Sequence, residues 1–225
     1  MEVQEREHTS RRPATARGEK TREHLLDVAE ELFGARGVES VSLSEIRVAS
    51  GARNTAAIQF HFGNREGLLE ALKERHMAVI AALQHALYAE TVATGRADDV
   101  RSLVEVLVRP VADYLTRGPS ERSWVKIMAE LGQLPELRLG EMTLAAPAAA
   151  QEAGGLLYQL LTREMSSELA TERLVALALI AVHLCANRAR IADDPERSRA
   201  HVPDDVFIDN LVDMTTAALF APIQH

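Results

Sequence analysis

One segment near the end of the chain, residues 174–186, is apolar on nearly every side and restricts the possible folds more than any other feature. It is too short for a membrane span, and His183 interrupts it. A helix that is hydrophobic all round must be covered all round. We therefore expect it to pack on its own chain on one side and on a second copy on the other. A central helix of a monomeric bundle is the alternative.

The last helix of the chain supplies a matching apolar face, so the two final helices predict a symmetric homodimer. Small residues in the first of them would let a partner helix approach closely. The one cysteine of the chain excludes an intramolecular disulfide and is read as a small buried hydrophobe. We assign to the dimer interface Ala178, Ala181, Cys185, Phe207, Leu211 and Met214.

Helical periodicity runs along almost the whole chain and predicts an all-α fold of about nine helices. Aromatic residues make up only 4%, while alanine and leucine are abundant, which favours helices over strands. Glycines and prolines separate the periodic segments. We predict helices at about 20–36, 43–49, 55–61, 65–94, 98–117, 121–131, 147–169, 171–192 and 204–221.

Two short helices joined by a tight turn in the first third indicate a helix-turn-helix. Ser42 and Glu45 match the S-x-x-E capping box, and Asn54 is a good N-cap for the following helix. In this motif the second helix reads base edges in the major groove, where glutamine suits adenine and arginine suits phosphate. The predicted DNA contacts are Arg22, Ser42, Ser44, Arg53, Asn54, Thr55, Gln59, His61 and Arg65. The predicted core of the motif includes Ile46, Val48, Ala49 and Ile58. Phe60 and Phe62 are expected to join this core or to clamp the third helix, and stacking on bases is the alternative.

A family resemblance accompanies this pattern over the stretch from residue 21 to residue 69. Its residues are Thr21-Arg22, Leu25-Leu26, Ala29, Leu32-Phe33, Gly37, Val41-Ser42-Leu43, Ser50-Gly51-Ala52, Phe60-His61-Phe62 and Arg65-Glu66-Gly67-Leu68-Leu69. Together they resemble the N-terminal domain of the TetR family of transcriptional regulators. Many members carry a tyrosine in the recognition region, whereas Phe60 has no hydroxyl for a phosphate. The resemblance implies dimerisation through the last two helices and a small-molecule effector bound in the middle of the chain.

The resemblance also implies a division of the chain. We expect a flexible arm at 1–19, a helix-turn-helix DNA-binding domain at 20–66 and a helical effector-binding and dimerisation domain at 67–225. Effector pockets are mostly apolar with a few polar groups. The candidate pocket residues are Tyr114, Trp124, Met128, Met142, Tyr158, Met165 and His183.

Charge distribution gives a mixed indication about nucleic acid. The net charge is -8, but residues 1–76 carry 12 basic and 13 acidic side chains, whereas the remainder is strongly acidic. A local basic face in the first third is therefore compatible with the composition. No phosphate-binding, zinc-protease or serine-hydrolase motif occurs, and the histidines lack metal-ligand spacing. We expect no catalytic residues, metal or cofactor, and a cytoplasmic protein without a membrane segment.

These observations predict a ligand-responsive DNA-binding regulator, and more specifically a repressor that a small molecule releases from a palindromic operator. Its partners would be double-stranded DNA, a second copy of itself and an unidentified effector. Two alternatives stay open. One is an all-helical ligand-binding or interaction module without DNA binding, and the other is an activator on the same fold.

Overall fold

The computed structural model describes residues 16–52, 56–132, 146–194, 196 and 201–223, and over these ranges the chain forms nine α-helices and no strand. The predicted all-α fold is confirmed. The helices are α1 (Ala16–Arg36), α2 (Leu43–Ala49), α3 (Ala57–Phe62), α4 (Arg65–Ala93), α5 (Val100–Leu115), α6 (Pro119–Leu131), α7 (Ala148–Leu161), α8 (Ser167–Asp193) and α9 (Asp204–Leu219).

The starts of α2 and α4 agree with prediction, and a capping side chain marks each of them. α2 has the predicted capping box, and Asn64 caps α4 by accepting the Gly67 N–H at 2.9 Å. α1 begins at Ala16, so residues 16–19, predicted as part of the arm, are helical. α3 begins after Ala56, two residues later than predicted, and Asn54 lies outside the described residues.

The boundary between α7 and α8 was predicted wrongly. α7 ends at Leu161 rather than continuing to about residue 169, and α8 begins at Ser167. The Ser166 hydroxyl accepts the Leu169 N–H at 3.3 Å and thereby caps the start of α8.

α5 is the central helix of the body. It packs against α4, α6, α7, α8 and α9, and most of its side chains are buried. α4 extends from the helix-turn-helix into the body, and α6 packs on both α1 and α8. α4 and α6 are therefore the two helices that join the helix-turn-helix to the rest of the chain.

α8 is long and apolar enough to cross a membrane by length and composition alone. This is weak evidence, because core helices of soluble proteins share both properties. In this chain α8 packs against α5, α6, α7 and α9.

Candidate nucleic-acid interface

The N-terminal end of α2 is held by a closed set of hydrogen bonds. The Ser42 N–H donates to Glu45 Oε2 at 2.8 Å, and the Glu45 N–H donates to Ser42 Oγ at 3.2 Å. Arg36 Nη2 donates to Glu45 Oε1 at 2.8 Å. These donors, chiefly the Ser42 backbone N–H, lower the pKa of Glu45 to about 2. The Ser42 hydroxyl, predicted to contact DNA, therefore serves as a helix cap in this structure.

α3 presents one side to the protein and the other to solvent. Ala57, Ile58 and Phe62 are buried, whereas Gln59 and Phe60 are exposed. The burial of Ile58 and Phe62 agrees with prediction. The assignment of Phe60 to the core is wrong, because 80% of its surface is exposed. α3 is only six residues long, and its inner side is complete without residue 60.

α2 shows the same kind of departure. Ile46 is fully buried as predicted, but Val48 is 65% exposed and Ala49 is also exposed. Both had been assigned to the core from their apolar character. A helix of seven residues buries one face, and Ile46 with the partly buried Leu43 occupies it.

Two arginines predicted to contact DNA bind within the domain. Arg65 donates to the carbonyl oxygens of Val38 and Val41 at 2.5 and 2.6 Å. Arg22 lies over the Phe62 ring, 5.4 Å from its centroid, and is only half-exposed. Arg65 thereby holds the segment between α1 and α2 against the start of α4, so its phosphate role stays a prediction.

The remaining side chains that were predicted to contact DNA differ in their exposure to solvent. Ser44 and Gln59 are exposed. His61 is half-buried, and burial followed by the charge of Arg22 lowers its pKa. A neutral imidazole at pH 7 can donate one hydrogen bond but brings no positive charge to a phosphate. Arg53, Asn54 and Thr55 lie outside the described residues.

A buried polar cluster fixes α1 to α4 and α6. The carboxylate of Glu30, which is 2% exposed, accepts the Ser120 hydroxyl at 2.5 Å and Arg75 Nη1 at 3.1 Å. His76 Nε2 lies 3.2 Å from Glu30 Oε2. Burial by itself raises the pKa of Glu30, but its partners His76, Ser120 and Arg75 together hold that pKa below 4.5. The carboxylate is therefore ionised at neutral pH.

Two further contacts lie along the same side of α6. Glu130 accepts the Val38 N–H at 2.7 Å, just after α1 ends. A Cβ at Gly34 would lie 2.5 Å from Ser123 Cβ, so the two helices touch through this glycine. We call this surface the α1–α6 junction, formed by Glu30, Gly34 and Val38 on one side and Ser120, Ser123 and Glu130 on the other.

The predicted effector residues do not form one site. Tyr114 and Trp124 are buried around His76, whose Nδ1 is hydrogen-bonded to Tyr114 Oη at 2.7 Å and whose ring stacks on the indole at 5.1 Å. Burial raises the pKa of Tyr114 to about 12. The sequence analysis missed His76, although it follows Leu72 and precedes Ile80 at helical spacing on the apolar side of α4.

The other predicted pocket residues are scattered. Met128 is half-buried on α6, and Tyr158 is 36% exposed on α7. Met165 lines an open surface groove beside Arg173 and Phe220. His183 is half-buried on α8, and Met142 lies outside the described residues.

The predicted dimer residues divide into two groups. Ala181, Cys185 and Leu211 are buried within the subunit, so their assignment to an intermolecular surface is wrong. Ala178 and Met214 are exposed, and Phe207 is half-exposed. Exposed or half-buried residues at helical spacing on these two helices form a surface that we call the α8–α9 outer face. It consists of Ala176, Ile180, His183 and Asn187 on α8 and Val206, Asn210, Met214 and Ala217 on α9.

The family model that describes bacterial regulatory proteins of the TetR family matches residues 25–72. This range covers most of α1, the whole helix-turn-helix and the start of α4. This part of the chain is therefore similar to the TetR family. The predicted resemblance is thereby confirmed, and the helix-turn-helix lies where the resemblance placed it.

Individual relatives agree with this match. The HTH-type transcriptional regulator AcrR of Shigella flexneri is 34% identical over 98 residues, which is 44% of this chain and 43% of that protein. The chain therefore spans less than half the length of this curated relative. NalD of Pseudomonas aeruginosa, a secondary repressor of a multidrug efflux pump, is 25% identical with a TM-score of 0.56, covering 91% of this chain and 98% of NalD.

The AmtR structure from Mycobacterium smegmatis shows how far the fold extends. It covers 96% of this chain and 91% of its own, with a TM-score of 0.53 and 21% identity. At this identity the likeness concerns the fold alone. The helical body beyond α4 thus follows TetR-family architecture although its sequence differs.

Proposed function

We propose that this chain is a homodimeric DNA-binding repressor that a small molecule releases from a palindromic operator. The observation that carries the proposal is the two-sided α3, which is anchored inside by Ala57, Ile58 and Phe62 and presents Gln59 outward. Glutamine can bond an adenine edge in the major groove. The relatives AcrR and NalD, described as a transcriptional regulator and a repressor, support this direction.

A dimer would place two α3 helices in successive major grooves about 34–36 Å apart. The exposed apolar residues Ile180, Val206 and Met214 support pairing through the α8–α9 outer face. We keep the division of the chain near residue 66, with the DNA-binding domain before it and the effector-binding and dimerisation domain after it. The protein would act in the cytoplasm without catalytic chemistry.

The effector would bind in the body between α4 and α6. Two buried polar atoms, Trp124 Nε1 on α6 and Gln84 Oε1 on α4, have no hydrogen-bond partner among the described residues. Buried polar groups are normally satisfied, so these are atoms that a polar effector would engage. His76 of α4 stacks on Trp124 and lies 3.2 Å from Glu30 of α1, so an effector that separates α4 from α6 would shift α1 with them.

Selection of random double-stranded DNA by the purified protein at about 150 mM salt tests DNA recognition. An enriched inverted repeat, with affinity that falls steeply as salt rises, is expected. The Gln59→Ala variant should relax sequence preference at one position in each half-site, whereas Gln159→Ala, an exposed residue of α7, should leave it unchanged. Folded protein that enriches no sequence would favour the ligand-binding module without DNA binding. The position of the operator relative to its promoter separates repressor from activator.

The single tryptophan tests the effector part separately. A compound that releases the protein from its operator should change the fluorescence of Trp124, because the indole lies at the proposed site. Release without any change in that fluorescence would argue against binding between α4 and α6.

A further inference from the structure

The most exposed large apolar side chain among the described residues lies on α3. Phe60 is 80% exposed, compared with 65% for Val48 and 51% for Met214. Leaving an aromatic ring in water forgoes a substantial gain from burial, and such a group on a binding surface marks a contact with a partner. The position of this ring therefore requires an explanation that the fold itself does not supply.

The backbone of α3 keeps Phe60 pointing away from the protein. Its neighbours Ile58 and Phe62 occupy the inner side, and the Phe60 N–H donates to the Ala56 carbonyl at 2.8 Å. Among the described residues, the only ring beside it is that of His61, which it meets edge-on at 5.0 Å between centroids. The ring is thus held next to Gln59 on the outer side of α3.

The chemistry of the side chain narrows what it can contact on DNA. Phenylalanine has no polar atom, so it makes no hydrogen bond to a phosphate or to a base edge. The one apolar group that the major groove displays is the C5-methyl of thymine, and phenylalanine is among the side chains that pack on it. Gln59, adjacent on the same side, suits adenine, so both residues favour A·T base pairs.

We propose that Phe60 is a specificity-determining residue that packs on the methyl group of a thymine in each operator half-site. This inference rests on the proposed DNA-binding function. It accounts for an aromatic residue without a hydroxyl as the most exposed large apolar side chain of the described residues. It also predicts that the half-site places a thymine next to the base pair read by Gln59.

Replacement of single thymines by deoxyuridine tests the proposal, because it removes one methyl group and leaves the hydrogen-bonding edge intact. In the selected operator, one thymine per half-site should be sensitive, and its replacement in both half-sites should weaken binding about 15-fold, or about fourfold per methyl group. Phe60→Ala should bind thymine and uracil operators equally, and Phe60→Leu should keep part of the difference. Val48→Ala, also exposed but on α2, should keep all of it.

The outcomes separate this inference from the function on which it rests. Specific binding that no uracil replacement weakens would overturn the role of Phe60 and leave DNA recognition intact. A uracil effect that persists in Phe60→Ala would assign the methyl contact to another residue. A loss in Phe60→Ala that is equal on operator and random DNA would mean packing on the sugar-phosphate backbone. Absence of any DNA binding would overturn both proposals.

Discussion

The α1–α6 junction and the α8–α9 outer face are both helix surfaces, but only the first is completed within the chain. At the junction a buried carboxylate has its partners in place, and a glycine brings the helices into contact. On the outer face Ile180, Val206 and Met214 remain partly in water. The first surface sets the position of α1 relative to the body, and the second is the surface that we propose to pair with a second copy.

The difference has a physical origin in what each surface buries. Charged groups can be buried only with partners in place, so a junction built on Glu30 and Arg75 tolerates little change in geometry. Apolar and small side chains can pack against any apolar surface of suitable shape, so such a face can remain exposed until a partner binds. Regulation by movement of α1 would therefore act through the junction, whereas the outer face would stay paired.

The largest expected effect comes from breaking the junction. Glu30→Ala leaves Ser120 and His76 facing a cavity and removes one of the carboxylates around Arg75, so we expect a loss of about 3 kcal/mol in the free energy of unfolding. Chemical denaturation measures it. Glu31→Ala, one residue along on the exposed side of α1, should change stability by less than about 0.5 kcal/mol. Equal effects of the two substitutions would contradict the assigned role of the junction.

A substitution on the outer face should weaken dimer formation rather than the folding of the subunit. Ile180→Asp places a charge in the proposed dimer contact and should raise the dimer dissociation constant by at least about 100-fold, with little change in the stability of the subunit. Sedimentation at a series of concentrations measures this. The matched control is Val92→Asp at the end of α4, where the valine is 49% exposed. A dimer that survives Ile180→Asp would place the contact elsewhere.

Two glycines in helices allow a finer test of the junction. Gly34→Ala would bring a Cβ within 2.5 Å of Ser123 Cβ and 2.9 Å of its Cα, and should destabilise the protein by about 1–3 kcal/mol. Gly154→Ala in α7 meets nothing within 4 Å and should stabilise by about 0.5–1 kcal/mol. Thermal unfolding of both variants gives the signs. Stabilisation by Gly34→Ala would show that α1 and α6 can separate freely.

Acid should weaken the junction before it affects the outer face. The folded-state pKa of Glu30 lies below its ordinary value of 4.5, so its stabilising effect is complete above that pH and is lost as the pH falls through the lower folded-state pKa. We expect unfolding midpoints in Glu30→Gln to depend less on pH below 4.5 than those of the parent protein. Glu31→Gln is the control. The same acid dependence in both variants would show that Glu30 does not cause the loss of stability in acid.

Local signals explain most of what could be predicted. The Ser42–Glu45 capping box marked the start of α2 correctly, and Arg65 was correctly placed at the start of α4. The errors lie where a neighbour decided the outcome. Ser166 begins α8 within a stretch that was predicted to continue the previous helix, and Phe60 looks like a core residue until the inner side of α3 is seen to be full.

The sequence by itself determined most of the helices, the helix-turn-helix and the family resemblance, because caps, breakers and periodicity act within a few residues along the chain. Only the tertiary structure decided which sides of these helices meet. Glu30 finds Arg75 and Ser120 across 45 and 90 positions. Cys185 and Leu211 turn inward while Ile180 and Met214 remain outside. Such choices depend on how several helices share one core, and a periodic pattern does not specify which neighbour covers each face.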